Sequence, residues 1–516
     1  MEVCVSASSR SAPLSPTRRR RVFAVLVAAA ALTILDVSKL GIALPAIQAD
    51  MGGDPATVQI MLVGYTLAYA ATLVPAGRIG DVLPRRTVFL VGASIFVAAS
   101  IACTVAPTTE LLVAGRIVEG VGAGLLMPQV LGLIQRIYPA AERARPLATL
   151  AAVMTVTSLG APVLAGVIMD AAGDALGWRL LFVVTVVAGA VVVPLAAVMI
   201  VEPPSVRRAG FDLGGATLLG LGVVLAIAPL SASSGSLPDT LWPYLITAAG
   251  FVLIFVFVLY ERRVARRGRE PLIDPELFGL RHFGSGVAVS GFMHAAATGG
   301  TLIVTIALQQ IVGLSPLETA LWMLPSAIAS LTGAWIASRV GATNGPLVAI
   351  GTATGALALA AIGFAFGFVP ADELPWVVVA LLSISSLGAG AAAPANQART
   401  LQYAPEHRSS VAGSLIQFAQ RSGSAIGMAA AMVVYYTFFA VPTIGGQPAA
   451  GPMLALWVVA GLLAVGGVIA TIDHVRNHGA ATAPGSGEHP AGHDEERADE
   501  ALDRGLLVAN ATRKSR

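Results

Sequence analysis

The sequence predicts an all-α integral membrane protein of fourteen transmembrane helices: two six-helix bundles related by a pseudo-two-fold repeat, with a two-helix insert between them. Three observations predict it. First, 56% of the 516 residues are hydrophobic and only 12% are charged, whereas a soluble domain carries about 25% charged residues. Second, apolar runs long enough to cross a bilayer, which needs ~20 residues, recur along the chain. Third, arginines fall in every second connection between those runs, as the positive-inside rule requires.

In chain order the runs are 22–47, 57–77, 87–107, 110–135, 145–171, 178–201, 212–232, 240–260, 283–312, 318–338, 345–368, 375–398, 409–440 and 452–472. The first follows Arg18–Arg21. That start resembles a secretory signal, but the run is long, carries Asp36 and Lys39, and shows no small-residue cleavage pattern before the next span. The second run ends in GRIGDVLPRR (77–86), and the tenth in GAWIASRVG (333–341). This is a weak internal repeat of a glycine followed by an arginine-bearing turn, as in repeated transporter halves. The insert lies between EPPSVRRAGF (202–211) and the basic loop 261–282, which contains ERRVARRGRE. Glycines, 55 in all, are spread through the spans, where small residues let helices approach closely.

With the N-terminus inside, the inner loops carry Arg78, Arg85, Arg86, Arg136, Arg143, Arg145, Arg207, Arg208, the arginines of 261–282, Arg339, Arg399 and Arg408. The outer loops carry Asp50, Asp54, Asp170, Asp174, Asp239, Asp372 and Glu373, with Arg179 the one basic residue near an outer end. Both termini are therefore expected in the cytoplasm. The domain reading is a tail 1–21, a bundle 22–201, an insert and basic loop 202–282, a bundle 283–473 and a disordered tail 474–516.

Composition also excludes functions. Lys39 and Lys514 are the only lysines, neither follows a glycine-rich loop, and so no P-loop ATPase is encoded. No HExxH is present, and Cys4 and Cys103 offer neither a disulfide framework nor a metal-thiolate site. His474, His478, His489 and His493 read as a solvated tail. An enzyme would show a cluster of acids and histidines at one membrane face, and a sensor would carry a soluble output domain; neither pattern is found.

Charges inside the spans carry the chemistry. An ionised side chain at a helix centre costs at least ~2.5–3.5 kcal/mol on insertion scales. Asp36 and Lys39 share one helix face, as do Arg116 and Glu119. At ~1.5 Å per residue, Asp36 lies roughly 22 Å up a ~30 Å core. Arg116 lies roughly 9 Å and Glu119 roughly 14 Å below the outer surface. Asp36 and Arg116 thus share a depth band and are expected to pair.

These segments resemble the signatures of the major facilitator superfamily, specifically its fourteen-span drug:proton antiporter (multidrug efflux) family. GRIGDVLPRR is similar to the loop G-x-x-x-D-R-x-G-R-R through Gly77, Asp81, Arg85 and Arg86; Val82 and Pro84 depart from it. LVAGRIVEGVGAG (112–124) is similar to R-x-x-Q-G-x-G through Arg116 and Gly120, with Glu119 in place of glutamine. LGAPVLAGVI (159–168) resembles the fifth-span antiporter signature through Gly160, Pro162 and Gly166, with alanines at 161 and 165. WRLLF (178–182) resembles the start of the sixth span. LDVSKLGIALP (35–45) resembles the first-span signature through Leu35, Asp36, Ala43, Leu44 and Pro45, with Lys39 replacing an apolar residue. LQQIVGLSPLETALWMLP (308–325) and AGSLIQFAQRSGSAIG (412–427) also look like this family.

The resemblance implies a proton-coupled antiporter that exports lipophilic small molecules, such as drugs and antibiotics, by alternating access. It implies no cofactor, with the proton gradient as the driving force, and no nucleic acid partner. The expected charge network is Asp36, Lys39, Arg116, Glu119 and Arg421; the expected latch is Gly77, Asp81, Arg85 and Arg86; the expected antiporter kink is Gly160, Pro162 and Gly166. The candidate cavity wall is Tyr65, Tyr69, Gln309, Gln310, Asn396, Gln397 and Gln417, amphipathic groups in apolar spans. His294, in the ninth span, reads as a packed, hydrogen-bonded histidine. Two deep acids against three deep bases weigh against a simple dicationic substrate. Lys39 is expected either to face the network or to snorkel outward. Export of a native metabolite, with drug efflux incidental, is the alternative. The arginine-, alanine- and glycine-rich composition suggests a bacterial inner membrane, and a monomer is expected.

Overall fold

The computed structural model describes residues 15–52, 55–139, 142–201, 212–231, 240–267, 271–341, 345–403, 409–439 and 450–481. The described residues form fourteen α-helices, a short 3-10 helix at Pro275–Gly279 and no strand. The first six are α1 (Pro16–Met51), α2 (Pro55–Val82), α3 (Arg85–Thr104), α4 (Thr109–Ile137), α5 (Ala144–Ala172) and α6 (Asp174–Met199). The next two are α7 (Leu213–Ser231) and α8 (Trp242–Arg266). The last six are α9 (Phe283–Gln310), α10 (Pro316–Val340), α11 (Gly345–Phe368), α12 (Leu374–Leu401), α13 (Ser409–Thr437) and α14 (Ala450–Ala481).

The helix ends follow local sequence. Ser15 caps α1 by accepting from the Arg18 N–H, Pro16 occupies the first turn, and Gly52, at φ 64°, closes it with a left-handed residue bonded to Gln48 O. Thr108 caps α4 through the Leu111 N–H, and Glu110 adds a negative charge at the positive end of the helix dipole. Ser315 and Glu318 cap α10 reciprocally, ahead of Pro316. Prolines sit inside eight of the helices, Pro45 of α1 and Pro162 of α5 among them. Packed neighbours tolerate such breaks within a membrane protein.

Twelve of the fourteen helices are long and apolar enough to cross a membrane. Of the other two, α7 has a shorter apolar stretch, Leu213–Pro229, and α13 is diluted by Gln417, Gln420, Arg421 and five serines up to residue 424. Several helices outrun their predicted spans, α1, α8 and α14 among them. α1 begins within the basic tail, α8 runs through the arginines of the predicted loop, and α14 reaches Ala481, so the disorder predicted from residue 474 does not begin there. Arginines at the end of α8 favour the extension, because cations suit a helix C-terminus.

The packing repeats. α2 and α3 both lie on α4, and α10 and α11 both lie on α12; α1 packs on α5, and α9 on α13. The same contacts thus recur in the same order in α1–α5 and α9–α13. The halves meet through two equivalent crossings, α2 with α13 and α5 with α10, while α7 and α8 pair with each other and α7 rests on α2 and α13. At two positions glycine sets the approach of α4 to α2. A Cβ at Gly120 would collide with Tyr65 O, and one at Gly124 would lie 2.8 Å from Tyr69 O.

Candidate functional site

Four charged side chains meet between α1 and α4, all essentially excluded from solvent: Asp36, Lys39, Arg116 and Glu119. Arg116 Nη1 donates to Asp36 Oδ2 at 2.5 Å and to Glu119 Oε2 at 2.5 Å. Lys39 Nζ makes an ion-pair contact with Asp36 Oδ1 at 2.7 Å. It also donates to Leu181 O at 2.8 Å and to Thr185 Oγ1 at 2.5 Å, both on α6. Ser100 of α3 donates to Glu119 Oε1. Two acids and two bases sum to zero charge when all four are ionised. Removing one member would leave an uncompensated buried charge, which costs ~3–5 kcal/mol.

Aromatic faces close the network. The Arg116 guanidinium lies 4.1 Å from the Tyr65 ring centroid and 5.9 Å from that of Phe182, and Lys39 Nζ lies 4.9 Å from Phe182. A desolvated cation over a ring gains ~2 kcal/mol. Local sequence explains the convergence. The i, i+3 spacings in α1 and α4 put each pair on one face, and the Gly120 and Gly124 contacts bring α4 onto the turns of α2 that carry Tyr65 and Tyr69.

Lys39 therefore does not snorkel; it turns inward and ties α1 to α6. Arg421 stands apart from the four charges. Its guanidinium lies 4.6 Å from the Tyr69 centroid, and Tyr69 meets Tyr65 edge to face at 6.2 Å. The order Arg116, Tyr65, Tyr69, Arg421 thus crosses from α4 through α2 to α13. Depth along a helix gave Arg421 no azimuth, and the tyrosine pair separates it from the acids.

Of the predicted latch residues, Arg85 is buried in the first turn of α3 against Gly132, where any side chain would displace its guanidinium. Arg86 Nη2 donates to Ala197 O of α6 at 2.6 Å. Gly77 faces Ser414 of α13, at 3.8 Å from its Cβ position. The Asp81 side chain lies outside the described residues. Nearby, Arg78 donates to Pro271 O, and Glu261 Oε2 accepts from the Ile273 N–H at 2.9 Å, so the segment after α8 is held to both α2 and α8. In α5, Pro162 lies within a continuous helix. A Cβ at Gly166 would lie 2.7 Å from Leu317 Cα of α10, so Gly166 serves the crossing between the halves, whereas Gly160 faces open space.

The predicted cavity residues divide. Asn396 is buried and donates to Gly286 O at 2.8 Å and Ser290 Oγ at 2.9 Å, joining α12 to α9. Gln309 donates to Ile42 O at 3.3 Å, and Gln310 accepts from the Tyr435 hydroxyl at 2.9 Å. These amides join helices. Gln417 is half-buried and Gln397 exposed. The Tyr65 hydroxyl is buried without a hydrogen-bond partner, and the buried Tyr69 hydroxyl makes no well-aligned one, with Arg421 and Thr33 beside it. His294 Nδ1 lies 3.0 Å from Ser290 O. The sequence reading missed Ser100, Thr185, Gln129, which donates to Ala76 O at 2.7 Å, and Gln59, which donates to Ala429 O at 3.2 Å. A fully buried glutamine in an apolar helix is a readable signal; a lone hydroxyl is not. Among the described residues no three His, Cys, Asp or Glu side chains gather to hold a metal ion.

The family profile described as Major Facilitator Superfamily matches residues 26–213 and 207–428. A protein named "Probable actinorhodin transporter" of Streptomyces coelicolor is 32% identical over 72% of this chain, and the chain spans 65% of that relative's length, just under two thirds. The methylenomycin A resistance protein of the same organism is 28% identical over 79% of this chain and 83% of its own length. Among solved structures, a bacterial homologue of the human lysosomal transporter Spinster, inward-facing and occupied, shares 15% identity and superposes with a TM-score of 0.63 over 90% of this chain and 98% of its own. At that identity the likeness shows the fold. The profile match covers more than half of the chain, and the fold and repeated packing agree with it: the chain belongs to the major facilitator superfamily of membrane transporters.

Proposed function

We propose that this transporter is a proton-coupled antiporter that exports lipophilic small molecules, drugs and antibiotics among them, across a bacterial inner membrane by alternating access. The observation that carries the reading is the buried network of Asp36, Lys39, Arg116 and Glu119. One guanidinium nitrogen serves both carboxylates, so a proton arriving on either acid leaves Arg116 paired with the other. The network then carries one positive charge. Its members lie on α1 and α4 and reach α3 and α6 through Ser100, Leu181 and Thr185, so a change of charge acts on four helices at once. Movement of one half against the other opens the site to the opposite side, where the proton leaves. Relatives named as an actinorhodin transporter and a methylenomycin A resistance protein support the substrate class.

The arginine-rich connections support cytoplasmic termini. The protein acts as a monomer, binds no nucleic acid and needs no cofactor beyond the proton gradient. Substrate uptake into inverted membrane vesicles, which turns export inward, tests the reading. Uncoupler should abolish transport, and Asp36→Asn or Glu119→Gln should reduce it at least ~100-fold, as loss of an essential proton carrier does. Transport indifferent to uncoupler refutes proton coupling, and wild-type rates in either variant remove that residue from the path.

A further inference from the structure

Arg421 is a cation with no carboxylate paired to it among the described residues. It lies near the middle of α13, twelve residues from Ser409 and sixteen from Thr437, or ~18 Å and ~24 Å along the axis. It is half-buried. Among the described residues no carboxylate pairs with it; the two deep acids are both committed to Arg116 and Lys39. Around it lie the Tyr69 ring beneath its guanidinium, His294 of α9, and Gln417 one turn earlier on α13.

A second observation points to a ligand at the same place. The Tyr69 hydroxyl is buried, with the residue only 1% exposed, and makes no well-aligned hydrogen bond, Arg421 and Thr33 being the polar side chains beside it. A buried hydroxyl without a partner costs ~1–3 kcal/mol, and a guanidinium offers five donors in a fork that fits a carboxylate. Arg421 and Tyr69 come from different halves, α13 and α2, which pack directly on one another. A molecule held by both therefore bridges the halves.

We propose that Arg421 and the Tyr69 hydroxyl form the head-group site for the exported molecule, and that this molecule is a lipophilic organic acid bearing a carboxylate or an ionised phenol. Proton handling and substrate charge then belong to different arginines: Arg116 serves the acids of the network, and Arg421 serves the substrate. The proposal rests on the export function above, but its recognition step needs no proton gradient and is testable separately.

The experiment is equilibrium dialysis of the full chain in lipid nanodiscs against three probes of equal ring size: 2-naphthoate, its methyl ester and 2-naphthylmethylammonium. Empty nanodiscs give the baseline. The wild type should hold 2-naphthoate at least about tenfold more tightly than the ammonium, the scale of one charge-assisted bidentate contact. Arg421→Gln should weaken the acid about tenfold and the ester less than about twofold. Arg421→Lys, which keeps the charge and loses the fork, should fall between, and Tyr69→Phe should weaken the acid about threefold. Equal weakening of acid and ester in Arg421→Gln overturns the proposal, as does a wild type that fails to bind 2-naphthoate or prefers the ammonium. If Arg421→Gln does not fold, the acid-to-ester ratios in Arg421→Lys and Tyr69→Phe decide, and unchanged ratios in both overturn it. Any of these outcomes leaves uncoupler-sensitive efflux, measured in vesicles, to stand or fall by itself.

Discussion

Replacing Lys39 by methionine keeps the length of the side chain and removes its charge. In the folded protein Lys39 is 1% exposed, contacts Asp36 at 2.7 Å and supplies donors to Leu181 O and Thr185 Oγ1. Its loss leaves the network with one surplus negative charge and strips two α6 acceptors of a partner. The expected destabilisation is ~3–5 kcal/mol, that of breaking a buried ion pair. Asp36→Asn leaves one surplus positive charge and should cost a similar ~3–5 kcal/mol. The double variant restores neutrality, since Arg116 and Glu119 still pair at 2.5 Å. Its cost should therefore fall short of the sum of the singles by ~2–3 kcal/mol, a large coupling for residues in contact. Unfolding by dodecyl sulfate in mixed micelles, read by helical circular dichroism, measures all four corners of the cycle. Additivity within ~0.5 kcal/mol would refute the closed network.

Other expectations follow from single contacts. Ser315→Ala removes the α10 cap and should cost ~1 kcal/mol in the same unfolding assay without altering efflux, because the cap lies outside the network. Asn396→Leu loses both α9 contacts and should destabilise by ~1–3 kcal/mol; a change below the error of the unfolding curve would exclude Asn396 as interhelical glue. Gly124→Leu forces α4 away from Tyr69 and should cost at least ~1–3 kcal/mol. It should also reduce efflux more than Gly160→Leu, which meets open space; the two variants can be compared in one vesicle experiment.

The charged part of the site was legible because ionised groups in apolar runs are expensive and therefore rare. Asp36, Lys39, Arg116 and Glu119 stood out for that reason, and the 3.6-residue helix period assigned them to faces. Depth counting brought Asp36 to the level of Arg116. It gave no rotation about the helix axis, which is why Arg421 was grouped with acids it does not meet. The hydroxyl partners stayed hidden because a serine or threonine in a helix can satisfy itself: Thr66 donates to Leu62 O at 3.1 Å, one turn back. Nothing in the sequence separates that thriftiness from Thr185, which accepts from Lys39. The fold was legible from span count and arginine alternation, whereas the matching crossings of α2 with α13 and α5 with α10 arise only once the chain is packed. The amides expected in the cavity wall, Asn396 above all, share their polarity with interhelical contacts, and the sequence does not show what lies opposite them.

Lys39 and Lys514 are the only lysines in 516 residues. Changing Lys514 to arginine leaves a single lysine amine in the chain, sealed between α1 and α6. An acylating reagent cannot reach that amine while its partners hold it, so every chain acylated at Lys39 records one opening of the network. Peptide mass spectrometry, which separates Lys39 from the N-terminal amine, would count those events over time, with and without a proton gradient. The residue that departs from the antiporter signature thus doubles as a built-in clock for the motion it helps to control.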